Sequence, residues 1–275
     1  MNSQPLSMED FFFGDFYNYF LLGMTILAVA VFIVLQFITP AYGMTFNNRW
    51  GISIRSNWGW FLMEIPVFLM MFFLYDYTLL RRGPLTVDNF PWVPMVIFVL
   101  FELHYLQRAC VFPAKMRGTS KMPLSIIFMG FFFNLTNAYM QGGALFFVHP
   151  EQYSDISWLW SPQFIIGTVI FFTGMVINMH SDIIIRRLRK DRYDNNYYIP
   201  RGFLFERVNS SNYFGEIVEW AGFAILSWSV AGLVFLLWTC ANMIPRAKAV
   251  YAQYEQFFGD EFRQLKRYKI FPFIY

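Results

Sequence analysis

Six apolar stretches, each long enough to cross a bilayer, constrain this chain more than any other feature. They fall near residues 17–40, 58–80, 92–113, 123–148, 162–185 and 213–244. A hydrocarbon core of about 30 Å needs about 20 apolar residues per helix. The rest of the composition agrees: of 275 residues, 57% are hydrophobic, 22% aromatic and 14% charged. Ordinary soluble chains carry roughly 25% charged residues, and a soluble globule of this size could not hide so much apolar surface. Disorder, a collagenous repeat and a disulfide-stapled secreted scaffold are excluded on the same grounds. The sequence predicts an all-α, polytopic membrane protein.

No Lys or Arg precedes the first stretch, whereas Glu9, Asp10 and Asp15 stand before or at its start, so it reads as a retained span and not a cleavable signal. Orientation follows from the basic residues of the connections. Residues 41–57 carry Arg49 and Arg55, and 114–122 carry Lys115, Arg117 and Lys121. The 186–210 connection holds Arg186, Arg187, Arg189, Lys190, Arg192, Arg201 and Arg207, while 149–162 holds Glu151 and Asp155 and no basic residue. The N-terminus is therefore expected outside, with Arg81 and Arg82 snorkelling to headgroups. A single final helix would leave the basic tail (Arg246, Lys248, Arg263, Lys266, Arg267, Lys269) outside as well. A break within 227–232 resolves the conflict and predicts seven transmembrane helices with a cytoplasmic C-terminus. The 186–211 segment, rich in Tyr, Ile, Pro and Leu, is expected to be an ordered loop. Cys110 and Cys240 lie in apolar stretches and read as unpaired core residues; three histidines and no HExxH or CxxC argue against a metal site.

Charged groups at membrane depth cost at least about 2.5–3.5 kcal/mol each, so each one needs a purpose. Glu64, Asp76, Glu102, Arg108, Asp182, Glu216 and Glu219 all fall within or at the edges of the apolar stretches. Asp76 lies near a helix end and reads as structural. Glu64, a few residues past the interfacial anchors Trp58 and Trp60, lies deep enough to be expected to keep its proton, because hydrocarbon penalises the charged form. A neutral carboxylic acid can donate a hydrogen bond to a developing oxyanion. In the third stretch Glu102, Tyr105 and Arg108 share one helix face, with His104 four residues before Arg108. Asn178, Asp182, Arg186 and Arg189 form a polar stripe in the fifth, and Asn212, Glu216 and Glu219, followed by Trp220, form another in the sixth. Two such stripes joined by a basic loop describe a wet pocket open to the cytoplasm, with arginines suited to phosphates and Asn, Asp and Glu suited to hydroxyls and amides. His180 lies off the stripe. No G-x-G-x-x-G and no Walker loop is present, so a dinucleotide would have to sit between helices.

These segments together resemble the steroid 5α-reductases, in the branch that includes the plant brassinosteroid-pathway enzymes. The resemblance rests on Met63-Glu64-x-Pro66, His104-Tyr105-x-x-Arg108, Asn178-Met179-His180-Ser181-Asp182, Tyr198-Ile199-Pro200-Arg201-Gly202 and Asn212-Tyr213-Phe214-Gly215-Glu216-Ile217-Val218-Glu219-Trp220. It extends to Pro245-Arg246-Ala247 and the terminal Phe271-Pro272-Phe273-Ile274-Tyr275. It implies one integral-membrane domain over 1–275, in which 1–122 carries the site for the substrate carbonyl and 123–275 most of the NADPH site. It further implies reduction of the C4–C5 double bond of 3-oxo-Δ4-steroids by hydride transfer to C5. Glu64 and Tyr105 would be catalytic and polarise the 3-oxo group. The cofactor would lie against Arg108, Asn178, Asp182, Arg189, Tyr197, Asn212, Glu216, Arg246 and Tyr254. Trp60, Met63 and Trp220 would join Glu64 and Tyr105 around the steroid. Met63 stands where the mammalian pattern has glutamine and the plant-type branch has methionine, which bears on steroid preference. The implied partners are a steroid arriving from the lipid phase and the membrane lipids, with no metal, nucleic acid or obligate protein partner. A bacterial inner membrane and an endoplasmic reticulum both fit, with the N-terminus outside or lumenal.

Three rival readings stay open. One is a reductase of a polyprenol or a long-chain 2-enoyl thioester on the same scaffold. Another is a membrane methyltransferase of the isoprenylcysteine type, disfavoured because Val148-His149-Pro150 lies in the acidic loop and lacks the arginine of that family's motif. The third is a lipid-binding or transport protein.

Overall fold

The computed structural model describes residues 13–40, 42–81, 84–148, 151–191 and 193–275. Glu9, Asp10, Arg82, His149, Pro150 and Arg192, used in reading the sequence, lie outside the described residues. The described chain is a bundle of long helices: α1 (Asp15–Val34), α2 (Ser56–Arg81), α3 (Trp92–Tyr105), α4 (Leu124–Gly142), α5 (Pro162–Leu188), α6 (Ser211–Ser227) and α7 (Val230–Phe258), followed by the single turn α8 (Asp260–Arg263). The α3 rod continues through a wider π-helical turn, Leu106–Val111, to Lys115, and α4 continues through another, Gly143–Val148.

Five of these rods, Asp15–Val34, Ser56–Arg81, Trp92–Lys115, Pro162–Leu188 and Val230–Phe258, are long and apolar enough to cross a membrane, which makes this an integral membrane protein. α4 and α6 differ for physical reasons. α6 has only 17 residues, and α4 buries Asn134, Asn137 and Gln141 within its 19. The expected interruption of the last apolar stretch is present: Trp228 closes α6 in the left-handed region, at φ 49°, and the Ser229 side chain caps α7 by accepting from Gly232 N at 3.0 Å. The carbonyls freed at the end of α6 are taken up by Tyr153 OH, donating to Ser227 O at 2.5 Å, and Trp158 Nε1, donating to Leu226 O at 3.2 Å.

Glycine decides how closely α5 and α6 pack. Gly167 and Gly174 on α5 face Gly222 and Gly215 on α6, and a Cβ on Gly174 would lie 2.5 Å from Glu219 Cα and 2.7 Å from Gly215 O. Only small residues let two helix backbones approach like this. The seam places the two polar stripes opposite each other: Asn178 Nδ2 donates to Asn212 O at 2.9 Å, Asn212 Nδ2 to Asp182 Oδ1 at 3.1 Å, and Ser181 and Ser211 share a hydrogen bond of 2.7 Å.

A two-stranded antiparallel ribbon, β1 (Ser53–Arg55) and β2 (Lys121–Pro123), pins the starts of α2 and α4 together, with Ile54 opposite Met122. From there α2 and α4 run alongside each other. Met63 packs on Gly130, Glu64 meets Asn134, and Leu74 packs on Gly142. α1 is fastened by Tyr17, whose hydroxyl donates to Met140 O, and by Trp238 Nε1 donating to Met24 O at 3.0 Å. Cys110 and Cys240 are free thiols, and Asp76 is exposed.

Candidate active site

Burial creates the problem that the site solves. Glu64 on α2 and Tyr105 on α3 are 8% and 2% exposed, and each is met by an amide from α4. Asn134 Nδ2 donates to Glu64 Oε2 at 3.2 Å and to Met63 O at 2.7 Å, while Asn137 Nδ2 donates to the Tyr105 hydroxyl at 2.9 Å. The acid and the phenol therefore share one buried polar cluster with the α4 amides.

Arg108 joins this cluster to a second, more open region. It sits in the π-helical turn that continues α3, 7% exposed, over the rings of Trp60 (4.4 Å) and Phe112 (4.9 Å). Its guanidinium nitrogens lie 3.7 Å from Asp182 Oδ2 and 3.7 Å from Glu216 Oε2. Both carboxylate oxygens are beyond hydrogen-bonding reach of Arg108 and have no other hydrogen-bond partner among the described residues. Behind it, His104 Nδ1 and Glu219 Oε1 make a buried hydrogen bond of 2.7 Å.

Beyond Arg108 opens a cavity of about 1430 Å³, its mouth included. Its wall carries the cationic side chains of Arg108, Arg117, Arg186, Arg189 and Arg246 among the rings of Tyr42, Trp60, Tyr197, Tyr213 and Tyr254. Buried polar atoms without a hydrogen-bond partner among the described residues line it: Ser56 Oγ, the Asn209 amide, Ser210 Oγ and Arg246 Nη1. Arg246 is held in place on its other nitrogens, Nε donating to Tyr213 OH at 2.9 Å and Nη2 to Tyr42 O at 3.0 Å. Burial raises the Tyr42 phenol above its usual range against the opposing pull of Arg246, so that ring stays neutral beneath the guanidinium.

The basic loop after α5 forms one side of the mouth. Arg117 Nη1 donates to Arg189 O at 2.7 Å and Arg189 Nη1 to Arg117 O at 2.5 Å, and Thr119 and Asn195 add a second set of bonds to this latch. Tyr197 OH donates to Gly43 O at 3.3 Å and Tyr254 OH to Tyr198 O at 3.4 Å. Asp194 organises the loop itself, accepting from the backbone N–H groups of Lys190 and Asn196; these hold its carboxyl below the usual carboxylate range.

Of the residues singled out in the sequence, Trp60, Arg108, Asp182, Arg189, Tyr197, Asn212, Arg246 and Tyr254 line the cavity. Asn178 and Glu216 stand behind that wall, bonded to Asn212 and paired with Arg108. Trp220 is 1% exposed and fills the core between His104, Phe101 and Phe235, with its ring 6.0 Å from that of Tyr105. The Met63 side chain lies against Gly130 of α4, and only its carbonyl joins the Glu64 cluster. His180 is exposed, edge-on to Phe203. The sequence reading missed Asn134, Asn137 and Gln141. Their spacing of three and four on an apolar helix was the available signal, since amides in a span rarely lack a partner. The described residues hold no group of His, Cys, Asp or Glu fit for a metal ion.

Known proteins with the same pattern extend over nearly all of the chain. Residues 120–275 match the family model described as 3-oxo-5-alpha-steroid 4-dehydrogenase. The chain is 33% identical over 275 residues to steroid 5-alpha-reductase DET2 of Arabidopsis thaliana, covering 98% of this chain and 100% of the relative. It is 35% identical over 263 residues to the DET2 protein of Gossypium hirsutum, covering 94% and 97%. Against 3-oxo-5-alpha-steroid 4-dehydrogenase 1 of Mus musculus it is 39% identical over 237 residues, covering 85% and 88%. A full-length match of this kind, on a bundle that sinks an acid and a phenol beside an arginine-lined cavity, leaves one conclusion: the chain belongs to the 3-oxo-5-alpha-steroid 4-dehydrogenase family of membrane oxidoreductases.

Proposed function

We propose that the protein reduces the C4–C5 double bond of 3-oxo-Δ4-steroids, with NADPH as reductant and Glu64 and Tyr105 holding the steroid 3-oxo group. The observation that carries this reading is the burial of Glu64 and Tyr105 against Asn134 and Asn137, one turn apart on α4, with Arg108 of the same α3 rod lining an arginine-rich cavity. The cavity wall fits a dinucleotide phosphate: arginines for the phosphates, unpartnered Ser56, Asn209 and Ser210 groups for ribose and amide atoms, and tyrosine rings for flat heterocycles. Arg108, Asp182, Arg189, Tyr197, Asn212, Arg246 and Tyr254 would hold the cofactor directly, with Asn178 and Glu216 fixing Asn212 and Arg108.

When bound, NADPH supplies the hydride that goes to C5. Hydride addition to an enone moves negative charge onto the distant carbonyl oxygen, and a solvent-derived proton taken up at C4 as that charge returns supplies the second hydrogen. Tyr105 donates to that oxygen and Glu64, as the neutral acid, supports it; a donor of this kind is worth about 2.7–4 kcal/mol in oxyanion holes. The apolar residues around the pair keep water from the developing enolate. Trp60, Met63 and Trp220 are assigned to the steroid side, Met63 through its backbone carbonyl and Trp220 as the core wall behind Tyr105. All seven long helices span the membrane in this reading, with the N-terminus outside or lumenal and the basic loop and C-terminus cytoplasmic. The steroid enters from lipid and the cofactor from the aqueous side. The domain is one unit over 1–275, with 1–122 contributing the carbonyl pair and 123–275 most of the cofactor site.

The test is NADPH oxidation by the purified protein with progesterone, against a long-chain 2-enoyl-CoA, and mass spectrometry for a steroid gaining two hydrogens. Glu64→Gln and Tyr105→Phe are expected to abolish turnover and keep NADPH bound. Turnover at the wild-type rate in either variant, or reduction of the thioester alone, overturns the assignment.

A further inference from the structure

A tyrosine hydroxyl has one hydrogen and two lone pairs, so its neighbours decide whether it gives or takes a hydrogen bond. Tyr105 takes one from Asn137 Nδ2 at 2.9 Å, and among the described residues its hydroxyl has no other hydrogen-bond partner. Nothing about the shape of an amide says which end is nitrogen; the partners of its two ends settle that. Asn137 Oδ1 accepts from Gln141 Nε2 at 3.3 Å, and Gln141 Nε2 also donates to the backbone carbonyl of Ala231 at 3.0 Å. A backbone carbonyl can only accept. Ala231, in the first turn of α7, therefore fixes the orientation of Gln141, Gln141 that of Asn137, and Asn137 the polarity of Tyr105. Asn137 is 0% exposed, Gln141 1% and Tyr105 2%. Turning Asn137 over would set its Nδ2 against Gln141 Nε2, donor against donor, and turning Gln141 over would set its Oε1 against the Ala231 carbonyl and Asn137 Oδ1, acceptor against acceptor, away from water, where unmade hydrogen bonds are most expensive.

We propose that Asn137 and Gln141 are positioning residues that form a one-way amide relay from the start of α7, holding the Tyr105 hydroxyl as a donor with its hydrogen free for the substrate's ketone oxygen. The proposal rests on the assignment of Tyr105 to the steroid carbonyl. It gives the break after Trp228 a second use, because that break is where α7 begins and where Ala231 presents its carbonyl to α4. No bond is made or broken in the relay; it sets only the direction of a hydrogen bond.

The experiment compares Gln141→Met, Asn137→Leu and the double variant in the full-length protein, with progesterone and saturating NADPH. Methionine keeps the length of glutamine and removes its donor. Each single variant is expected to lower kcat about tenfold or more, with KM within about threefold of wild type, because the lost interaction tightens only as charge develops on the ketone. Gln141 acts through Asn137, so the double variant is expected to be no slower than Asn137→Leu alone. A second readout needs no turnover. Progesterone bound with NADP is expected to show a red-shifted enone absorption in the wild type, and less of that shift in Gln141→Met, so this variant alone still gives an answer if Asn137→Leu does not fold. Losses that multiply in the double variant, or a wild-type kcat and enone spectrum in Gln141→Met, overturn the relay. Tyr105→Phe in the same assay separates the two ideas. Turnover in that variant removes the carbonyl assignment itself, whereas an inactive Tyr105→Phe beside a fully active Gln141→Met removes only the relay.

Discussion

His104 Nδ1 and Glu219 Oε1 stand 2.7 Å apart between α3 and α6, with side chains 6% and 1% exposed. This bond ties the helix that carries Tyr105 and Arg108 to the helix that carries Glu216, and the Trp220 ring closes over His104 at 4.6 Å. Removing one partner of such a pair leaves the other buried and unmatched, a loss of about 3–5 kcal/mol, whereas replacing both by apolar residues is far milder. Glu219→Ala is therefore expected to lower the thermal midpoint in detergent much more than His104→Leu combined with Glu219→Leu. Tryptophan fluorescence during heating measures it, and equal losses in the two proteins would contradict a paired role.

The α5–α6 seam gives a second expectation. A Cβ on Gly174 would collide with the backbone of Glu219 and Gly215, and backbone cannot rotate aside as a side-chain end can. Gly174→Ala is expected to destabilise by about 1–3 kcal/mol, as overpacking does. The same change at Gly23 on α1, where a Cβ meets nothing within 4 Å, is expected to be neutral or slightly stabilising. Because the seam sets Asn178 and Asp182 against Asn212, Gly174→Ala should also weaken NADPH binding, which equilibrium dialysis reads. Unchanged affinity and midpoint in Gly174→Ala would show that the helices can separate freely.

The loop at the cavity mouth carries a pH dependence. The backbone N–H groups of Lys190 and then Asn196 hold the Asp194 carboxyl below its usual range. A carboxyl depressed in the folded state stabilises that state above its unfolded pKa, about 3.9, and the contribution is lost as pH falls through the lower folded value. Asp194→Ala is thus expected to speed hydrogen exchange of residues 189–200 at neutral pH, with the difference from wild type starting to shrink as pH falls past about 3.9 and gone only below the lower folded value. Exchange mass spectrometry corrected for intrinsic rates gives the comparison, and a difference that persists undiminished in acid would assign the loop's order to other bonds.

Much of the architecture was legible because hydrocarbon leaves a chain few choices. The apolar runs near 17–40, 58–80, 92–113 and 162–185 coincide with α1, α2, α3 and α5, and the break expected within 227–232 is the left-handed Trp228 followed by the Ser229 cap. The stripes Asn178–Asp182 and Asn212–Glu216 were legible too, since helical periodicity alone puts such residues on one face. That both stripes border one pocket was legible as well; how closely they approach was not, because it depends on glycines whose spacing matters only once α5 and α6 are packed together.

Other features needed the bundle. Asn137 and Gln141 are ordinary amides in sequence, and they become a relay only where α3, α4 and α7 converge. The packing of Trp220 in the core, with its ring 6.0 Å from that of Tyr105, was likewise invisible in sequence. The Met63 side chain packs on Gly130, where the missing Cβ leaves it room. Arg189 is fastened to Arg117 by reciprocal bonds, each guanidinium donating to the other's backbone carbonyl, that no local pattern encodes.

The sequence by itself determined that this chain lives in a bilayer, where its helices begin and break, and which residues are too polar to face lipid. The reason is that both burial in hydrocarbon and helix periodicity are local properties, readable one segment at a time. Which polar group meets which was decided only by the tertiary structure. A buried donor is satisfied by whatever acceptor the packing brings within about 3 Å, and that partner lies on another helix, 32 residues away for Asn137 and Tyr105 and 115 for His104 and Glu219.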